Sequence, residues 1–503
     1  MEKQIREYEE TIVKLKRARN SLLNVSKLPP EVLGHIFRWN TILKDDFGGL
    51  EEGSHNFLLV CHHWFEVASS TPEVWNFWGN TTKDWTRWCH RPGTTPLDLV
   101  LDLNSNDVPF EFTRFDALQG RADQDTIRRI HLRAADPGLL RSIIASLTSA
   151  PGLFRPIGVE SFILRNESDE LVDISDFFAH NRFPKLQRLD LIHCTIALAL
   201  IPSRVVTLTT LELDLYSIDP TPSIPQVLSV LTSNPALRKV SLFGYATPDG
   251  GGGRKSLPRA SPCHLKELKL AGDPQEVFGI LSRLDLPRQM DSLDITLYEC
   301  PAEEILQTVG PQIRDYLRHR GKSQNGLGLF LSSGYDVEFH VGDMGRIGFS
   351  ALALARMNTF MKFTIKLNQT PSKGRLEKVT LDLIAHVPRE EVVYLRAYGK
   401  PVAVDVISAQ LPNLKGLHFE RAPLPIIFPK ANPDGDGEIF PSLQYILLDR
   451  VAVSRSDGWE PLVTFLLLRA GSGRRIHSLV IVGPCRTRPN VTQRMVQEFR
   501  LIP

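Results

Sequence analysis

Leu186-Gln187-Arg188-Leu189-Asp190-Leu191-Ile192-His193-Cys194-Thr195-Ile196 is the stretch that decides how the chain folds. Its alternation puts Leu189 and Leu191 on one side of an extended segment and Arg188 and Asp190 on the other, the pattern of a half-buried strand. Shorter forms of the phrase stand at Ile127/Ile130/Leu132, Val159/Phe162/Leu164, Leu208/Leu211/Leu213 and Leu237/Val240/Leu242. They continue at Leu265/Leu268/Leu270, Met290/Leu293/Ile295, Leu376/Val379/Leu381, Leu414/Leu417/Phe419, Leu443/Ile446/Leu448 and Ile476/Leu479/Ile481. The spacing is mostly about 22 to 38 residues, close to the period of stacked structural repeats.

Prolines stand just ahead of many phrases (Pro184, Pro235, Pro262, Pro287, Pro412, Pro441), where each should end a helix and force an extended lead into the strand. Helical candidates fill the intervals: 139–147, 225–231, 275–284, 303–319 and 461–469. Residues 186–196 resemble the leucine-rich repeat, position for position. The expected fold is therefore α/β, with an irregular leucine-rich-repeat-like solenoid over 101–503. Most other phrases lack the Asn or Cys that satisfies the turn backbone in that repeat. Between Ile295 and Leu376 the phrase disappears, and 327–331, 337–341 and 361–367 read instead as strands of a hairpin-like insertion within 296–375. Gly250–Gly253 reads as a loop.

Composition narrows the class. Hydrophobic residues at 42% and charged residues at 23% are those of a folded chain. Fifty-nine basic against 57 acidic residues leave +2, which gives no electrostatic case for nucleic acid. Cys61, Cys89, Cys194, Cys263, Cys300 and Cys485 are scattered without metal-ligand spacing, so neither a metal nor a disulfide framework is expected. No signal-peptide pattern opens the sequence, and no run reaches the ~20 apolar residues of a membrane span. An intracellular protein, cytoplasmic or nuclear, without membrane partners is expected.

Residues 2–23 lack Gly and Pro, and Ile5, Tyr8, Ile12, Leu15 and Leu22 follow three- and four-residue steps broken by Arg19. Such a helix (1–24) either lies against the next domain or forms a short coiled coil giving weak self-association. Beyond it, Leu28-Pro29-Pro30-Glu31 has proline where a first helical turn tolerates it and Glu31 at the positive end of the helix dipole. Val32, Leu33, Ile36 and Phe37 follow; a second helical segment is expected over 57–69, carrying Val60, Cys61 and Trp64, with Pro72 and Trp75 after it. Six of the seven tryptophans lie between Trp39 and Trp88, more aromatic area than so small a module can bury.

Leu28-Pro29-x-Glu31-Val32-x-x-x-Ile36-Phe37, then Val60-Cys61-x-x-Trp64 and Pro72-x-x-Trp75, resembles the F-box, and the whole order resembles the large fungal F-box families. The resemblance implies an F-box domain over 25–80, with a Gly-rich acidic insert at 44–54, joined to the repeats by a connector (81–100). It implies that Leu28, Pro29, Pro30, Glu31, Val32, Ile36, Phe37, Val60, Cys61 and Trp64 face a Skp-type adaptor, and through it a cullin, or support that interface.

Other motifs weaken on inspection. Asn432-x-Asp434-x-Asp436-Gly437 opens like a calcium loop, but Leu443 stands where a bidentate carboxylate is needed. Gly253-Arg254-Lys255-Ser256 lacks the order of a phosphate loop, and adjacent His62 and His63 on a helix point apart. No catalytic signature is present, so no enzyme and no cofactor are expected. The residues alternating with the strand leucines, among them Arg188, Asp190, Lys239, Lys266, Lys269, Lys378 and His418, are expected to offer a mixed-charge surface to a client protein. The functional expectation is a substrate-recognition subunit of a cullin ubiquitin ligase. The alternatives are a scaffold outside a ligase and an enzyme hidden in 296–375.

Overall fold

The computed structural model describes residues 1–41, 56–75, 77–78, 96–103, 127–149, 156–205, 207–215, 222–244, 259–287, 290–298, 310, 313–314, 316–318, 327–333, 336–344, 357–366, 381, 383–399, 410–421, 440–451, 459–483 and 496–502. Two compact units divide the chain, Met1–Pro222 and Ser223–Pro503.

The first unit opens with helix α1 (Glu2–Ser21). Its seam residues face no core: Ile5 is 51%, Tyr8 71%, Ile12 50% and Leu15 66% exposed. The expectation that this helix lies against the next domain is thus wrong. α2 (Pro30–Thr41) begins on its proline as anticipated. The single segment expected over 57–69 is two pieces, a 3-10 turn (Asn56–Leu59) and α3 (His62–Ser70). Cys61 separates them because its backbone is extended (φ −163°, ψ 167°) at the N-cap of α3.

Strands β1 (Phe77–Trp78), β2 (Leu97–Asp102), β3 (Ile127–Ala134) and β4 (Ser161–Asn166) run parallel in that order, each hydrogen-bonded to the next. β5 (Val172–Asp173) leaves the main ladder to pair with β7 (Cys194–Thr195). β6 (Arg188–Ile192) continues it beside β4, and β8 (Thr210–Asp214) beside β6. Helices α4 (Pro137–Ser149), α5 (Ser175–His180) and α6 (Leu200–Arg204) fall between strands. The leucine positions are the core: Ile130, Leu132, Phe162, Leu164, Leu189 and Leu191 are all within 1% of full burial. β2 begins at Leu97, within the expected connector, and runs on past its end. Its Leu97-Asp98-Leu99-Val100-Leu101 alternates correctly but lacks the leading leucine by which the phrase is recognised.

In the second unit β9 (Lys239–Phe243), β10 (Glu267–Gly272) and β11 (Ser292–Tyr298) form a parallel ladder. α7 (Ile224–Ser233) and α8 (Pro274–Leu281) lie between its strands. The insertion comes next, and all three of its expected strands exist: β12 (Leu327–Ser333), β13 (Asp336–Met344) and β14 (Met357–Lys366). Their spatial order is reversed. β14 sits beside β11, β13 runs antiparallel between β14 and β12, and β12 lies parallel to β15 (Val392–Gly399). Because β13 reverses twice, the parallel sense of the ladder survives the insertion. β16 (Gly416–Glu420), β17 (Tyr445–Asp449), β18 (Ile476–Val482) and β19 (Val496–Ile502) extend it, with α9 (Glu460–Gly471) before β18.

The phrase expected at Leu376/Val379/Leu381 is not a strand where it can be followed. Leu381 is helical, Leu376 and Val379 lie outside the described residues, and the strand of that repeat is β15, further along. Spacing of three and two apolar residues fits one turn of helix as well as a strand lead, and here the helix wins. Of the helix expected at 303–319, the described residues 310, 313–314 and 316–318 are helical.

The prolines act as turn formers. Leu186 N donates to Phe183 O, Leu237 N to Asn234 O, Leu414 N to Leu411 O and Leu443 N to Phe440 O, so Pro184, Pro235, Pro412 and Pro441 each hold the second position of a four-residue turn. Proline's fixed φ suits that position.

Candidate functional site

The helical module of the first unit is built around α2, which is apolar on two sides. Leu33 and Phe37, one turn apart, are buried with Phe57, Val67, Ala68, Val74 and Trp75, and Leu28, Leu58 and Trp64 pack on that cluster. Phe37 stacks on Phe57 at 4.6 Å between centroids and meets Trp64 at 5.1 Å. A Cβ on Gly34 would come 3.0 Å from Thr71 Oγ1, so glycine lets the segment after α3 approach the helix backbone. That segment is pinned by Trp75 Nε1 donating to Ala68 O (2.6 Å) and Thr71 Oγ1 donating to Val67 O (2.7 Å).

The other side of α2 faces solvent. Val32, Ile36 and Trp39, spaced i, i+4 and i+7 along one helical face, are 42%, 44% and 74% exposed. Leu59 (84%) on the 3-10 turn, Val60 (53%) just after it and Phe65 (38%) on α3 add apolar surface. Among the described residues, the core cluster of the module includes none of these six. Their apolar area lies outside that core, which makes these positions the candidate interaction surface.

Of the residues assigned to the adaptor, Pro29, Pro30, Glu31, Val32, Ile36 and Val60 are exposed, whereas Phe37 is buried and Leu28, Cys61 and Trp64 are partly buried behind them. These last four support the surface from within. Trp39, Leu59 and Phe65 were missed by sequence reasoning. Extending the Val32/Ile36 period by three residues finds Trp39; nothing in the periodicity distinguishes Leu59.

The repeat strands carry the second candidate. Their in-register pairing lines up polar residues in rows on the face opposite the leucines. In the first unit Arg129, Ser161, Arg188 and Thr210 occupy one row and His131, Ile163, Asp190 and Glu212 the next. In the second, Ser241, Lys269, Asp294, Lys362 and His340 lie side by side across five strands. Neighbouring strands are ~4.8 Å apart, so opposite charges in the same row or in adjoining rows find each other. Asp190 receives Arg165 at 2.7 Å and Arg188 at 3.5 Å; Asp98 receives Arg128 through both oxygens, at 3.0 and 2.7 Å. Lys239 pairs with Glu267 at 3.2 Å and Lys266 with Asp291 at 3.8 Å.

Two of the residues expected to meet a client are not on the surface. The Asp190 side chain is wholly buried under its two arginines, and His418 is 7% exposed. The reason is the same for both: in a tight parallel ladder the neighbouring rows cover a short side chain, and only long ones reach out. Arg188, Lys239, Lys266 and Lys269 keep part of their surface, while Lys378 lies outside the described residues.

His418 belongs to a polar network. Tyr394 Oη and His418 Nδ1 are 3.2 Å apart, and Gly416 is required beneath them, since a Cβ there would meet the Tyr394 ring at 2.7 Å. Burial, then the nearby Arg396, push the imidazole down to about 4, so it is neutral at physiological pH. Burial likewise holds His340 down at about 4 and raises the Tyr394 phenol above its usual range. His418, Glu420 and Asp449 stand close enough to share a cation. The carboxylates are already neutralised: Glu420 receives Arg396 at 2.6 Å and Arg450 at 2.7 Å, and Asp449 receives Arg450 at 3.1 Å. Two carboxylates facing two guanidiniums leave no net charge to attract a metal.

No family model and no curated protein matches this sequence. Among solved structures, an internalin from Listeria monocytogenes is similar at 10% identity over 72% of this chain and 88% of that one, with a TM-score of 0.28, too low to define a shared fold. Among the described residues no helix is long and apolar enough to cross a membrane.

Proposed function

We propose that the chain is a substrate-recognition subunit of a Skp–cullin ubiquitin ligase. The single observation that carries this reading is the second apolar stripe of α2, Val32/Ile36/Trp39, left in solvent outside the described core cluster of the module. A helix apolar on both sides needs a partner on the outer one. Val32 and Ile36 fall within the stretch, Leu28 to Phe37, that resembles an F-box, and Trp39 lies just beyond it; a Skp-type adaptor would be that partner.

In this reading the repeats present a client, through the long side chains that reach beyond the buried rows, Arg188, Lys239 and Lys269 among them. The chain performs no chemistry; it holds client and conjugating enzyme on one assembly and so raises their effective concentration. Affinity purification of the intact protein tests the assembly. Recovery of both a Skp-type adaptor and a cullin supports it; adaptor without cullin would favour a scaffold outside a ligase, and neither would overturn the reading.

A further inference from the structure

Helix α1 is independent of the adaptor question. It is 20 residues long, roughly 30 Å at 1.5 Å per residue, and its apolar positions are all in solvent. Its charge is split along its length. Residues 2–13 carry Glu2, Glu7, Glu9 and Glu10 against Lys3 and Arg6; residues 14–21 carry Lys14, Lys16, Arg17 and Arg19 and no acid.

Orientation follows from this split. Ile5, Ile12 and Arg19 take the first core position of successive heptads, and Tyr8, Leu15 and Leu22 the second. Side by side and parallel, two such helices would oppose Arg19 to Arg19 in the seam and the basic ends to each other. Antiparallel, the seam closes on itself: Ile5 meets Leu22, Ile12 meets Leu15, and Tyr8 meets Arg19, whose guanidinium can lie over the ring. The flanking positions then set Glu9 of each copy beside Lys16 of the other, twice by symmetry.

We propose that α1 is a self-association element, pairing antiparallel with α1 of a second copy of this chain in that register. Three heptads make a weak interface, so the dimer forms reversibly and depends on salt. It would place two copies of the strand rows and two helical modules in one particle.

Sedimentation velocity of the full-length protein from about 1 to 100 μM tests it, the range in which a weak, reversible pair is populated. Concentration-dependent dimerisation is expected. Glu9→Lys and Lys16→Glu should each weaken it about three- to tenfold by turning two attractions into repulsions, and the double swap should restore it. Mixing Ile5→Cys with Leu22→Cys protein should give an oxidised cross-linked dimer, whereas Ile5→Cys alone should not. A protein that stays monomeric at 100 μM overturns the proposal. So does efficient cross-linking of Ile5→Cys to itself, which would mean parallel helices.

Discussion

Phe37 and Ile36 are adjacent in sequence and do opposite things. Phe37, 1% exposed and stacked on Phe57, holds the module together; Ile36, 44% exposed, is not part of the described core cluster. Phe37→Ala should therefore cost about 3–5 kcal/mol of local stability, readable as lost protection in amide exchange over α2 and α3. Ile36→Ala should leave that protection unchanged. His418 makes a different prediction. Its folded value of about 4 lies below the ordinary 6.5, so between those pH values the unfolded chain binds more protons than the folded one. Stability is fully present above pH 6.5 and is lost as pH falls toward 4. At ~1.4 kcal/mol per pH unit the loss is on the order of 3 kcal/mol. Denaturant melts across this window should show the slope, to which His340 adds a similar share, and His418→Gln, which can still meet Tyr394, should remove about half of it. A slope unchanged by the substitution would contradict the assignment.

At the scale of elements, the repeat is held by devices that local pattern reveals unevenly. The leucine phrase exposed most strands because its period of two reports directly which side is buried. It missed β2, where no apolar residue leads, and also β15 and β19, although Val392/Leu395/Ala397 and Val496/Phe499/Leu501 keep the spacing behind a valine, and it mistook a helical turn at Leu381 for a strand. The turn chemistry was harder to see. The asparagine expected at the repeat turn is mostly absent, and the chain leaves many strands through a left-handed residue instead. Gly399, Arg421, Arg450 and Gly483 stand in one column with φ of 81°, 54°, 49° and 103°. Arg421 N and Arg450 N each donate to the next strand, at Asp449 O and Val482 O. An arginine in that conformation carries no sequence signature. α9 supplies a second device. The guanidinium of Arg469, 5% exposed, donates to Phe440 O at 2.5 Å and Leu443 O at 2.9 Å, fastening the turn that leads into β17. Arg469→Ala should remove both bonds, leaving Phe440 O only its turn bond from Leu443 N, and cost about 2–4 kcal/mol in chemical denaturation. Arg469→Lys, a point charge without the planar fork, should recover only part of it.

For the whole molecule, the order of parts is what the sequence conveys best: a charged helix, a small aromatic module, then repeats. The composition of the surfaces is what it conveys least. Alternation identified which strand residues face away from the leucines, yet it could not say that Asp190 and His418 would be roofed over by neighbouring rows, because that depends on register across strands distant in sequence. The acidic insert at 44–54 lies outside the described residues, and the two pieces it separates still share one core through Phe37 and Phe57. The most direct test of the account is therefore made on that module in the full-length chain. Binding of a purified Skp-type adaptor should be measured by calorimetry for the unaltered protein and for Val32→Asp/Ile36→Asp, alongside melting of each. The account predicts measurable binding that the double substitution abolishes with melting unchanged; equal binding by both proteins, or none by the unaltered one, would contradict it.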